Sequence, residues 1–211
     1  MIIRKGFTLI ELIVVIAIIG VLAMVLVPTM LGYIRKSKIS SADSSASLMY
    51  KAVNSALIEL DAENMDTGGS YIIIWKNDEK KWAVSGASES LKQEVFDSGI
   101  FSRKVRNFFE DVDRIKYCEA AMCGGTCIAI TVARNSTYAG TYPTGVIRTE
   151  NYESYVPADS LALNSSLADA MIIYFGGTPT STQDAETAEK SASEKGFTVH
   201  FGYKGHSTVS V

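Results

Sequence analysis

With 211 residues, the chain is long enough for one membrane segment and one domain of ordinary size. Its 20 basic and 23 acidic side chains give a net charge of −3 with no Lys/Arg stripe in any region, which excludes charge-driven nucleic-acid binding. Three cysteines, Cys118, Cys123 and Cys127, are too few for a disulfide framework, and their odd number leaves one thiol unpaired if a bridge forms.

The chain opens with Arg4 and Lys5 before an apolar run from Phe7 to Leu31, 25 residues with a single charge, Glu11. As a helix the run rises roughly 37 Å, enough to cross a bilayer core of about 30 Å. It is too long for the core of an ordinary secretory signal, and the only short removable piece ends before it, at Gly6. A lone carboxylate in such a segment is costly and requires a specific partner. The flanking charges do not settle orientation: Arg4 and Lys5 precede the run, while Arg35, Lys36 and Lys38 follow it.

Basic residues, then Gly6, then Phe7-Thr8-Leu9-Ile10-Glu11-Leu12, then an apolar helix carrying Gly20 and Pro28, resembles the type III signal of the type IV pilin and pseudopilin superfamily. The resemblance covers residues 4–31 closely. It implies cleavage by a prepilin peptidase between Gly6 and Phe7 on the cytoplasmic face, with methylation of the new amino terminus at Phe7. Glu11 stands one helical turn after Phe7, so its carboxylate can neutralise a Phe7 amine, its own or that of a neighbouring subunit. An unpaired charge in a low-dielectric bundle costs several kcal/mol, and that pairing would select axial register. Loss of residues 1–6 leaves 205 residues with 18 basic and 23 acidic side chains, a net charge of −5. Gly20 and Pro28 weaken the helix interior and read either as a modest kink or as a stretch that unwinds on packing.

After Lys38 the pattern turns amphipathic. Leu48, Ala52, Val53, Ala56, Leu57 and Leu60 recur at three- and four-residue spacing, with Ser44, Ser45, Lys51, Ser55 and Glu59 largely opposite. The first strong stop is Asp66-Thr67-Gly68-Gly69, so one helix of roughly 85 Å is expected from Phe7 to Asn64. The chain thus divides into a leader (1–6), an apolar transmembrane and filament-core helix (7–35), an amphipathic continuation (36–64) and a globular head (65–211).

In the head, residues 71–75 and 81–84 read as strands joined by a turn at 77–80. Residues 90–98 read as a helix with Ser90 and Gln93 in capping-box spacing, extended or followed by 101–109. Residues 114–121 and 127–133 form a strand pair around Gly124-Gly125. With a two-residue turn, Met122 faces Cys127 and no two cysteines are opposed, so a bridge needs a shifted register. Three pairings, or three free thiols, remain open. Residues 169–175 and 196–203 read as further strands, and 178–195 as a surface helix or loop. The order suggests an α+β head: an antiparallel sheet with one long helix laid on it, as the pilin resemblance implies. Many pilins close a C-terminal loop with a disulfide. No cysteine follows Cys127, so that loop must be held otherwise, for example by 196–203 joining the sheet.

No nucleophile elbow, HExxH, phosphate-binding loop or dinucleotide fingerprint is present, which argues against an enzyme. Cys118, Cys123 and Cys127 with His200 or His206 could supply four zinc ligands. Their spacing is not that of a paired C-x2-C knuckle, and neither a metal nor a cofactor is expected. Trp75, Trp82, Tyr138, Tyr142, Tyr152 and Tyr155 could offer an aromatic surface for a glycan or host. Asn135 and Asn164 match the N-glycan acceptor pattern. The expected function is that of a pilin: held in the cytoplasmic membrane by a single pass with its head outside, then assembled with other pilin subunits into an extracellular filament. Its partners would be prepilin peptidase, the inner-membrane assembly machinery, the membrane, and a host surface or polysaccharide, with no specific nucleic acid. A pseudopilin of a type II secretion or DNA-uptake system, a minor adhesive pilin and a membrane-anchored enzyme or binding domain are the rival readings.

Overall fold

The computed structural model describes residues 8–156, 160–179, 181–202 and 207–211. The long helix is present as α1, Leu9–Ala62, and contains Pro28 within it. Pro28 cannot donate to the preceding turn, and Thr29 Oγ1 donates to Leu26 O at 2.9 Å beside it. The helix ends on Asn64, which takes φ +60°. Asn64 N–H donates to Asp61 O at 2.9 Å and Met65 N–H to Leu60 O at 3.0 Å, the paired bonds of a Schellman cap. The stop therefore falls just before the Gly68-Gly69 signal.

Two units are distinguished, the residues before Lys38 and Lys38–Val211. In the first, the helix exposes its whole apolar run, from Leu9 to Ile34. An 18-residue window of it reaches a mean hydropathy of 3.1, long and apolar enough to cross a membrane.

In the second unit, α1 buries Ile39, Ala46, Met49, Ala52, Val53, Ala56, Leu57 and Leu60. The expected stripe is corrected at Leu48, which is 53% exposed. At 100° per residue it lies roughly 120° from the stripe's centre, and Met49 takes its place. Ser45, expected on the polar side, is buried and satisfies its hydroxyl on Ser41 O at 3.0 Å.

Strands β1 (Ser70–Lys76), β2 (Lys81–Ser85), β3 (Tyr117–Cys123), β4 (Thr126–Ala133) and β5 (Gly140–Tyr142) form one sheet in the order β2-β1-β3-β4-β5. All pairings are antiparallel. Between β3 and β4, Gly124 and Gly125 take φ +57° and +76°, as a two-residue hairpin turn of mirror-image type requires. Met122 faces Cys127 as expected, but Ala121 faces Ala129, so Ile128 is an extra residue in a bulge. The bulge turns the adjacent Ile128 and Ala129 to one face, while Cys127 and Ile130 serve the other.

Between β2 and β3, the helix α2 (Glu89–Leu91) passes into a π-helical stretch, Lys92–Asp97, and α3 (Ile100–Phe108) follows. The cap is corrected from Ser90 to Ser88, whose Oγ accepts from Leu91 N–H at 3.3 Å. Trp75, Trp82, Phe96 and Phe101 join α1 on this face of the sheet.

The opposite face carries the main correction. Residues 169–175, read as a strand, lie largely in helix α4, Ser160–Tyr174. Every residue from Ser165 to Ile172 is buried. A helix enclosed on all sides shows no polar stripe, so its 3.6-residue period is invisible. Helix α5 (Thr182–Ser193) packs beside it through Ala185, Ala188 and Ala192. The expected strand at 196–203 is reduced to β6 (Thr198–His200). It pairs with β7 (Thr208–Ser210) in a separate two-stranded sheet and does not join the main one. The sheet is thus covered on both faces, by α1 with α3 on one and by α4 on the other.

At the β5 edge, α1 and the sheet meet backbone to backbone. A Cβ on Gly140 would stand 2.1 Å from the Ala42 carbonyl carbon, so only glycine fits. Asp43 Oδ1 accepts from Thr141 N–H at 3.0 Å beside this contact. Burial pushes the Asp43 carboxyl up to about 6, against the lowering effect of that hydrogen bond.

Candidate functional site

The amino-terminal segment is built on the first turn of α1. Thr8 is its N-cap, and Thr8 and Glu11 form a reciprocal capping box. Glu11 Oε2 accepts from Thr8 N–H at 2.8 Å and Thr8 Oγ1–H at 2.7 Å, while Glu11 N–H donates to Thr8 Oγ1 at 3.3 Å. The carboxylate is therefore fixed at the helix start, where the positive end of the helix dipole favours it. The pairing was legible as Thr8-x-x-Glu11, a spacing the sequence reading passed over. Gly6 and Phe7, the expected cleavage pair, lie outside the described residues. Gly20 has open space around the position of a Cβ, and it and Pro28 both lie within the helix.

Cys118, Cys123 and Cys127 are free thiols, so the candidate disulfide is not formed. Cys118 and Cys127 face the α1 side and Cys123 the α4 side of the sheet. Burial pushes the Cys118 and Cys127 thiols well up, which keeps them protonated and inert. The C-terminal segment is held by hydrogen bonds instead. Asn164 on α4 clamps Val209 by both its groups, Nδ2–H to Val209 O and Val209 N–H to Oδ1, each at 2.9 Å. Asp169, 1% exposed, accepts from Ser207 Oγ–H at 2.6 Å and from Tyr155 O–H at 2.5 Å. Phe201 N–H donates to Glu189.

Residues 1–27 match the family described as the Prokaryotic N-terminal methylation motif. The chain is 43% identical over 56 residues to the type IV major fimbrial protein FimA of Dichelobacter nodosus, which is 26% of this chain and 36% of that protein. It is 43% identical over 56 residues to the fimbrial protein of Pseudomonas aeruginosa (26% of this chain, 36% of that protein). With the type IV major alpha-pilin of Moraxella bovis the figures are 46% over 56 residues, 26% of this chain and 35% of that protein. This amino-terminal segment is similar to that of type IV pilins. The similarity spans about a third of the length of these curated relatives. No solved structure gives a significant match.

The remaining candidate residues of the head sort by burial. Trp75 and Trp82 are core residues, and Trp75 Nε1–H donates to Ile115 O at 3.0 Å. Tyr155 is buried on Asp169, and Tyr142 packs against Tyr50 with ring centroids 4.1 Å apart. Only the half-buried, stacked pair Tyr138 and Tyr152 remains of the aromatic surface envisaged for a glycan. Asn164 is half-buried and committed to Val209, with Ser165 and Ser166 buried, so it is no glycan acceptor. Asn135 is exposed, with Oδ1 accepting from Thr137 and Tyr138 N–H. His200 is exposed on β6, and His206 lies outside the described residues. Among the described residues no group of three or more His, Cys, Asp or Glu side chains could hold a metal.

One group was missed entirely. Glu119, in the middle of β3, is 4% exposed, and its Oε2 has no hydrogen-bond partner. Burial pushes its carboxyl up to about 7, partly offset by Lys76. A lone acid inside the run Tyr117-Cys118-Glu119-Ala120-Ala121-Met122 was the available signal.

Proposed function

We propose that the chain is a prepilin, a structural subunit that is processed and polymerised and is not an enzyme. The observation that carries the reading is the amino-terminal segment: the methylation motif over residues 1–27, leading into an apolar helix with one carboxylate in its first turn. Prepilin peptidase cuts between Gly6 and Phe7, and Phe7 is methylated. The membrane stores the subunit by a single pass with the head outside. An ATP-driven machine then moves it into a filament on the cell surface that serves adhesion or motility.

Glu11 has two tasks in this scheme. Held by Thr8, it satisfies the helix start before cleavage. After cleavage it stands at i,i+4 from the Phe7 amine, and an amine buried among apolar helices needs such a counter-charge. Thr8 positions that carboxylate. Gly20 and Pro28 mark the stretch of α1 best able to unwind while helices pack.

Amino-terminal sequencing of the assembled subunit is expected to begin at Phe7, and a retained Met1 would overturn processing. Glu11→Ala is expected to be cleaved normally and to assemble at least tenfold less well, measured as sheared filament per cell; normal assembly would remove the pairing mechanism. A pseudopilin shares residues 4–31, so the confinement of the family match to the amino terminus favours that second reading equally. Electron microscopy separates them: long surface filaments built of this chain support the pilin, and their absence supports the pseudopilin.

A further inference from the structure

One cavity in the head unit gathers cationic and hydrogen-bonding groups with no carboxylate in its lining. It measures about 180 Å³, lies between α1 and the segment after β4, and is lined by Lys38, Ser41, Ser45, Arg134, Asn135 and Tyr138, among others. Arg134 is held over the Phe109 ring, 5.9 Å from its centroid, and stands 4.0 Å from Asp111. Asp111 pairs with Arg114 through its other oxygen at 3.3 Å, so one carboxylate is shared between two guanidiniums. The Asn135 carbonyl oxygen is spent on Thr137 and Tyr138 N–H groups, which leaves its amide as a donor. The Ser45 hydroxyl is spent on Ser41 O. The lining therefore presents cations and donors, the set that recognises a phosphate.

The place of Lys38 in the sequence suggests which phosphate. It follows Ile34, which ends the exposed apolar run, by four residues of the same helix, roughly 6 Å of rise. The polar layer of a bilayer adds roughly 5–8 Å beyond the hydrocarbon on each side. Arg35, Lys36 and Lys38 also lie on the flank that the prepilin reading puts outside, against the usual distribution of basic residues. An anionic headgroup layer accounts for their presence there.

We propose that this cavity binds the headgroup phosphate of an anionic membrane lipid, with Lys38 and Arg134 clamping its oxygens and Ser41 and Asn135 donating from the wall. The proposal rests on the membrane-anchored reading above. The test is retention of phosphatidylglycerol by the full-length chain in detergent, read by native mass spectrometry, for the wild type and for Lys38→Gln/Arg134→Gln. Phosphatidylcholine and glycerol 3-phosphate are the comparison ligands. The expected result is selective retention of phosphatidylglycerol, weakened about thirtyfold in the double variant with thermal stability unchanged. Equal retention by both proteins overturns the site. Binding of glycerol 3-phosphate without the lipid overturns the lipid assignment in favour of a soluble phosphate. Unchanged lipid retention with impaired filament assembly overturns it in favour of an acidic side chain on a second copy. Carbonate extraction of both proteins from membranes tests the anchor separately: if neither is retained, the prepilin reading fails, and the glycerol 3-phosphate arm alone decides the pocket.

Discussion

Glu119 lies on the sheet face beneath α4, in a strand whose other inward positions are apolar. Its carboxyl is raised from 4.5 to about 7 chiefly by burial. The folded chain thus holds this proton more tightly than the unfolded chain. Its contribution to stability is complete below about pH 4.5 and is lost as pH rises through about 7. Asp43, raised to about 6, acts in the same sense. Glu119→Gln keeps the shape and removes the charge. It is expected to stabilise the full chain at pH 8 by on the order of 2 kcal/mol and to change little at pH 4.5. Thermal unfolding in detergent at the two pH values checks this; an equal shift at both would separate the residue from the pH dependence. Thr8 and Glu11 are the opposite case, a polar pair whose needs are met within one helical turn.

At the scale of elements, α4 holds the C-terminal strands through Asn164. Asn164→Ala removes two hydrogen bonds and leaves the Val209 N–H and C=O without partners, at a cost of about 2 kcal/mol. Hydrogen exchange is expected to speed up selectively at 207–211, and uniform loss of protection would argue against a local clamp. The strands at 70–76 and 81–85, the Gly124-Gly125 hairpin and the long helix were legible because each combines a clear period with strong turn residues. The α4 helix was not, because burial on every side removes the polar stripe that would mark it. The run Met171-Ile172-Ile173-Tyr174-Phe175 then reads as strand by β-propensity alone. In the amino-terminal segment Glu11 was legible from its charge in an apolar run. Its partner Thr8, the half-buried Asp43 and the buried Glu119 and Asp169 depend on neighbours that only folding supplies.

For the whole molecule, the absence of any bridge among the described cysteines sets a simple expectation. Dithiothreitol is expected to leave the melting temperature of the full chain unchanged, and the buried Cys118 and Cys127 thiols are expected to titrate with Ellman's reagent only after denaturation, unlike the half-buried Cys123. A fall in melting temperature on reduction would show that a bridge forms in solution. Stability rests instead on two apolar layers, one against each face of the sheet. That arrangement has a consequence for how the head can diverge. The outer layer includes α5, whose buried positions are three alanines spaced three and four residues apart, with Glu189 accepting from Phe201 N–H beside them. Alanine constrains only the closeness of approach, and the intervening positions Gln183, Asp184, Glu186, Thr187 and Lys190 face solvent. The exterior of this helix can be rewritten residue by residue, by drift or by grafting an epitope, without touching a strand ladder.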